Sequence, residues 1–263
     1  PVLSLALPIK GVDPLLQLPL IATKEQFRFL WDGAPGRCLA ASGRCQYLDL
    51  SGPRRFELAQ RFSDVTLGRL LDLTPQAPSF CNPRILLAFS FFEQTSERQR
   101  AQGLPPAVQA VLPRWQLSRQ GVEGCLRLTA AATHEAEARE LAEKLWIMRE
   151  RLVQRSDHEA KILTNIGAGL SFPQQWQDCY RPALIRGIDL VNKGILDKLV
   201  LAVRQSIWLE TPLDPLAMLA RLRVQQQGSC RFLWQRGQNE AFFGASPERL
   251  LSLQRGRLQI DAL

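Results

Sequence analysis

Histidine is scarce in this sequence: His134 and His158 are the only two in 263 residues, and neither has a cysteine or serine beside it. A Ser-His or Cys-His mechanism therefore has no support. The six cysteines (Cys38, Cys45, Cys81, Cys125, Cys179 and Cys230) include no Cys-x-x-Cys pair, so no zinc site is legible. Scattered in this way, they read as free, buried thiols of a reducing compartment. Long apolar runs are missing too. The first twenty residues are broken by Pro8, Pro14 and Pro19, with Lys10 and Asp13 among them. That pattern excludes a signal peptide and a membrane span, and a cytoplasmic protein is expected. No repeat period and no low-complexity linker is visible. Ile166-Gly167-Ala168-Gly169 lacks the spacing of a dinucleotide loop and reads as a turn.

The charge is +8, but the basic residues are interleaved with apolar or acidic ones, as at Arg149 with Arg151 and Arg221 with Arg223. Solvated faces account for that excess, which argues against a nucleic-acid partner and is compatible with an anionic small substrate. The apolar content of 46% supports a substantial core in one large domain or two ordinary ones. The chain begins at Pro1 and stops in an apolar run at Asp261-Ala262-Leu263, so it is expected to be a fragment cut at its C-terminus.

The pattern predicts an α+β protein. CLAASGRCQYLDLSG reads as a hairpin around Gly43, and Arg84–Glu93 as a strand buried on both faces. Two strands meet near Gly121–Gly124. Ala138, Leu141, Leu145, Met148 and Leu152 recur at helical spacing between His134 and Gln154. A second helix runs from Gln174 to Lys193 and ends at Gly194. Asp197–Leu209 reads as a long strand, and Asp214-Pro215 opens a third helix with Asp as N-cap. Four short strands follow, the last two joined at Arg255-Gly256. Trp31, Trp115, Trp146, Trp176, Trp208 and Trp234 are dispersed and read as packing residues.

Two charged residues stand in apolar surroundings. Lys198 opens the most apolar strand; it either reaches for water along its stem or is desolvated and able to act as a base. Glu248 follows Ser246-Pro247 in FFGASPERLL. Ser-Pro-Glu suits a helix start, yet strand, turn and strand follow, so Pro247 reads as the entrance to a kinked or edge strand that presents the carboxylate.

LDKLVLA (Leu196–Ala202) and FFGASPERLL (Phe242–Leu251) resemble the chorismate-utilising enzymes, and among them the isochorismate synthases, with fifty residues separating Lys198 from Glu248. The resemblance extends from the helix near Trp176 to the end of the chain. It departs from the family at Ala202-Val203-Arg204 and at Ile260-Asp261-Ala262-Leu263. It implies the family's fold, shared with anthranilate synthase component I: two facing, largely antiparallel sheets flanked by helices, here incomplete at the C-terminus. Residues 1–155 would form the variable N-terminal part and 156–263 the start of the conserved catalytic region. It implies Lys198 as general base on a water attacking C2 of chorismate, Glu248 as general acid on the C4 hydroxyl, and Mg²⁺ on the substrate carboxylate. The metal-binding glutamates and most substrate-binding residues would lie beyond Leu263, leaving this stretch inactive alone. A lysine where ammonia-using relatives carry glutamine implies water as nucleophile. The expected role is menaquinone or phylloquinone biosynthesis by a monomer or weak homo-oligomer. The alternatives are a salicylate synthase, which eliminates pyruvate, and a non-catalytic chorismate-fold binding protein.

Overall fold

The structure is a computed structural model that describes residues 1–23, 26–33, 36–93, 106–156, 175–202, 209, 212–238, 240–248, 251–254 and 256–260. The readings at Ile166–Gly169, Arg204, Trp208 and Asp261–Leu263 lie outside the described residues. The chain forms two compact units, one of Pro1–Ile162 with Pro215–Leu263 and one of Leu163–Asp214. Residues after 214 thus belong with the N-terminal half.

The first unit is built on a nine-stranded sheet in the order β4-β1-β7-β6-β3-β2-β8-β9, with β5 also paired to β6. Its strands are β1 Val2–Lys10, β2 Arg28–Asp32, β3 Arg37–Leu50, β4 Leu70–Asp72, β5 Leu86–Phe89, β6 Val108–Gln120, β7 Glu123–Ala131, β8 Cys230–Gly237 and β9 Glu240–Ser246. Among the described residues, only the β1–β4 pairing is parallel. A separate ribbon pairs β10 (Ser252–Gln254) with β11 (Arg257–Gln259). The α+β class is as expected. Where two facing sheets were expected, the described residues show one large sheet and this small ribbon.

The sheet's composition differs between faces because side chains alternate along a strand. Leu3, Leu126, Leu128 and Leu117 join a core with α1 (Pro14–Ile21), α3 (Glu135–Ser156) and α5 (Pro215–Gln225) through Leu15, Leu18, Leu141, Leu145, Leu152, Leu216 and Leu219. The other face carries a second cluster around Phe27, Val111 and Trp234, and α2 (Arg55–Gly68) packs nearby on β6 and β3. Polar groups are also buried here. Arg127, 1% exposed, donates from Nε to the Cys81 carbonyl at 2.6 Å and from Nη1 to Ser4 Oγ at 2.7 Å and Asp72 Oδ1 at 3.0 Å. One guanidinium thereby ties β7, β1, β4 and the 3-10 turn Ser79–Cys81 together.

A second charged cluster joins helices to strand ends. Asp13 caps α1 by accepting from the Leu15 N–H at 3.0 Å and takes a two-pronged bond from Arg223 of α5 at 2.5 and 3.1 Å. Arg223 Nε also donates to Asp32 at 2.9 Å, and Arg231 of β8 donates to the same Asp32 oxygen at 2.9 Å. Burial pushes the Asp13 carboxyl up, but its bond with Arg223, the charges of Arg223 and Arg119, and the Leu15 N–H outweigh that and hold it below its ordinary value.

The hairpin β6–β7 turns through Gly121-Val122, as expected. The helices predicted over His134–Gln154 and after Asp214 are α3 and α5; the one from Gln174 is α4 (Gln175–Asn192) in the second unit. Gly194 ends α4 with paired bonds, its own N–H to Val191 and the Ile195 N–H to Leu190, both at 3.0 Å.

Three expectations are corrected. Residues 37–50 are not a hairpin but one continuous strand, β3. Gly43 has φ +66° and the register shifts between Arg44 and Gln46, which marks a bulge. A glycine of positive φ between apolar runs signals either feature. The stretch 84–93 is not doubly buried, since β5 pairs only with β6 and leaves Leu87 45% and Phe89 40% exposed. Asp197–Ala202 form no ladder, because the described part of the second unit offers a helix and no strand to pair with. Tryptophan packing holds for Trp234 and the partly buried Trp115, whereas Trp31 and Trp146 are more than half exposed.

Replacing Asp13 with Ala should lower unfolding stability by about 2–4 kcal/mol, since it removes a helix cap and half of a partly buried ion pair. The carboxyl is held below 3.8, so its contribution is present above that pH and lost as the pH falls through the folded value. Denaturant titration from pH 7 to pH 3 should show the Asp13→Ala difference shrinking at the acid end; a constant difference would contradict the assignment. Burial pushes all five described thiols up, for Cys38 aided by the Asp32 and Asp13 charges, but Cys45 and Cys230 are half-buried whereas Cys38, Cys81 and Cys125 are buried. Labelling the native protein with iodoacetamide at pH 7.5 should reach Cys45 and Cys230 well before these three, as read by peptide mass spectrometry.

Candidate functional site

The sheet face that carries Phe232 and Trp31 is the floor of a cleft of about 900 Å³ within the first unit. Trp31 of β2 pairs with Phe232 of β8 and with Leu39 of β3, and Phe232 pairs with Gly244 of β9, so these positions share one face. Phe242, two residues before Gly244, adds a second ring 5.2 Å from Phe232 and tilted by 39°. Ser79, Phe80 and Arg84 also line it, as do Pro247, Glu248, Leu251 and Ser252. Arg37 and Arg119 close the end where β3 and β6 pair, next to the Cys38–Arg119 register position.

Among the described residues, Glu248 is the only carboxylate that lines this cleft. β9 ends at Ser246, and Pro247 and Glu248 follow it in neither helix nor strand, so Ser-Pro-Glu opens no helix and Pro247 stands at the exit of a strand, not at the entrance to one. The Ser246 hydroxyl donates to the Glu248 carbonyl at 3.3 Å and pins the turn. The glutamate is solvent-exposed. Arg37, Arg84 and Arg119 give the cleft a positive lining, partly spent at Arg119 on an ion pair with Asp13 at 3.9 Å. An anion with an apolar ring fits such a surface: the arginines complement its charge, and Trp31, Phe232 and Phe242 offer ring faces.

Lys198 belongs to the second unit, in an irregular segment after α4, and is exposed as well. The buried surroundings expected for the lysine and the glutamate are therefore not present around either one. Reading the sequence alone missed Trp31, Arg37, Arg84, Arg119 and Phe232. They come from strands and loops far apart in the chain and share no motif; Phe242 and Ser246, inside FFGASPERLL, were legible.

Among the described residues no group of three or more His, Cys, Asp or Glu side chains converges, and the cleft supplies one carboxylate. These residues do not by themselves fit a magnesium site, which needs several converging oxygens. Among the described residues, no helix is long and apolar enough to cross a membrane.

The family model for "Chorismate binding enzyme" matches residues 1–263. The isochorismate synthase MenF of Haemophilus influenzae is 32% identical over 88 residues, which is 34% of this chain and 20% of that protein. The chloroplastic isochorismate synthase 2 of Arabidopsis thaliana is 36% identical over 76 residues, 28% of this chain and 14% of that protein. The solved structure of MenF, the menaquinone-specific isochorismate synthase from Escherichia coli, superposes with a TM-score of 0.59 at 20% identity, covering 95% of this chain and 51% of that one. The chain therefore spans about half the length of that solved relative, and its aligned stretches a fifth or less of the curated ones. With the model matched end to end and the large mixed sheet in place, the chain belongs to the chorismate binding enzyme family.

Proposed function

We propose that the complete protein is an isochorismate synthase, an isomerase that converts chorismate to isochorismate. The observation that carries this reading is Glu248, set by a strand break on the wall of a ring-lined, arginine-lined cleft in a chain of this family. Lys198, where the ammonia-using relatives carry glutamine, supports water as the nucleophile.

The chemistry divides between two groups of opposite need. Lys198 Nζ takes a proton from water as the water oxygen bonds to C2 of chorismate, which asks for a neutral amine. The ring double bond shifts, and the Glu248 carboxyl delivers a proton to the C4 hydroxyl, which leaves as water. One water enters and one departs, so the product is an isomer of the substrate. Both groups are exposed among the described residues, so the water exclusion that this division requires has to come from the complete, substrate-bound protein. The arginines at the cleft end draw in a dianion.

Magnesium belongs to this reading for the complete protein, where a counter-cation would offset the charge of the dianion. The name of the Escherichia coli neighbour, menaquinone-specific, supports a quinone route. The free cysteines suit the cytoplasm, and a monomer or weak homo-oligomer is proposed.

In full-length protein, Lys198→Ala and Glu248→Gln should each lower kcat at least a hundredfold with the circular dichroism spectrum unchanged. Wild-type turnover in either variant would sink the assignment. Chelation with EDTA should stop turnover, and added Mg²⁺ should restore it. Pyruvate among the products would replace isochorismate synthase with a salicylate-forming lyase.

A further inference from the structure

Gly244 stands in the middle of β9, in register with Phe232, and is not among the glycines with left-handed φ. Its backbone therefore accepts any residue; the reason for glycine lies in what covers it. A Cβ at this position would meet the Phe232 ring, at 3.1 Å from Cζ, 3.5 Å from Cε1 and 3.8 Å from Cε2. Favourable carbon contacts begin at about 3.5 Å, so the ring would have to lift off the strand. As it stands, the Phe232 ring lies against the bare backbone of β9, with the ring of Phe242 tilted beside it at 5.2 Å. One alternation further along the same face is Ser246, whose hydroxyl holds the Glu248 carbonyl. The ring-on-glycine contact thus sits between the aromatic floor and the turn that carries the acid, and Phe232, Phe242, Ser246 and Glu248 all line the same cleft.

We propose that Phe232 is a specificity-determining residue, the surface against which the unsaturated ring of the substrate packs, and that Gly244 is the positioning residue that lets the tip of the Phe232 ring sit close against β9. The inference rests on the assignment of this cleft to chorismate. The unsaturated carbons of the substrate ring pack on an aromatic side chain while its carboxylates go to the arginines, and a few tenths of an ångström at Phe232 changes that packing. Gly244 is a positioning residue because it acts on the substrate only through Phe232.

The test is a two-residue cycle in the full-length protein, with chorismate turnover and thermal midpoints recorded together. Gly244→Ala should raise KM about tenfold while kcat falls much less, because the floor is raised and the acid is kept. Phe232→Leu alone should also raise KM by loss of the aromatic ring. In the double variant the smaller leucine makes room for the new methyl, so its KM should fall at least threefold below that of Gly244→Ala. KM within twofold of wild type in both single variants overturns the proposal, as does a double variant whose effects simply add. Should Gly244→Ala fail to fold, Phe232→Leu and Phe232→Tyr decide: the tyrosine, which keeps the ring face, must hold KM near wild type while the leucine does not. A wild-type protein that leaves chorismate unchanged overturns the functional reading itself, a result distinct from active variants with unchanged KM.

Discussion

The architecture of the first unit turns on two carboxylates shared among guanidinium groups. Asp13 and Asp32 face Arg223 and Arg231, with Arg119 nearby. Through them the start of α1, the end of β2, helix α5 and strand β8 are held at one corner. A buried ion pair is a poor source of net stability, because stripping water from charges costs about as much as their attraction returns. Its value here is positional. An apolar contact would let α5 slide by a turn, whereas a two-pronged arginine on Asp13 that also reaches Asp32 accepts one placement. Arg127 does the same across β7, β1 and β4.

That corner also builds the cleft. Fixing β8 against β2 puts Phe232 beside Trp31, and the next strand, β9, carries Gly244, Ser246 and the break to Glu248. The site and the framework are one set of strands, so changes to the charged corner will be felt as changes in cleft shape. The sheet divides labour between its faces. One is apolar and covered by three helices, and the other is partly polar and partly aromatic and left open for a ligand.

What could be read from the sequence followed local signals. Helices α3 and α4 announce themselves by stripes at helical spacing, and β6–β7 by a glycine turn between apolar runs. The failures have a common cause. Gly43 looks like a turn because a bulge and a turn make the same demand on φ, and only the pairing of β3 with β6 on both sides of it tells them apart. Strand β1 hides its leucine alternation, Leu3, Leu5, Leu7 and Ile9, behind Pro8. Asp197–Ala202 has strand composition, but a strand exists only where an edge receives it. Of the cleft, Glu248 was legible because its break is written in three consecutive residues. The arginines were not, since charge on a strand says nothing until register places it.

The pairing of β2 with β8 has a consequence for how the chain reaches this state. Trp31 meets Phe232 across nearly the whole sequence, and no local contact substitutes for that partnership. Contacts so far apart in the chain are slow to form, because a large loop must close before any bond repays it. Until β8 emerges, β2 is an unprotected sheet edge with an exposed tryptophan, the kind of surface that recruits strands from other molecules. A segment made long after β2 is thus the one that shields it, and yield on expression should depend on temperature and crowding more than the native fold's own stability would suggest.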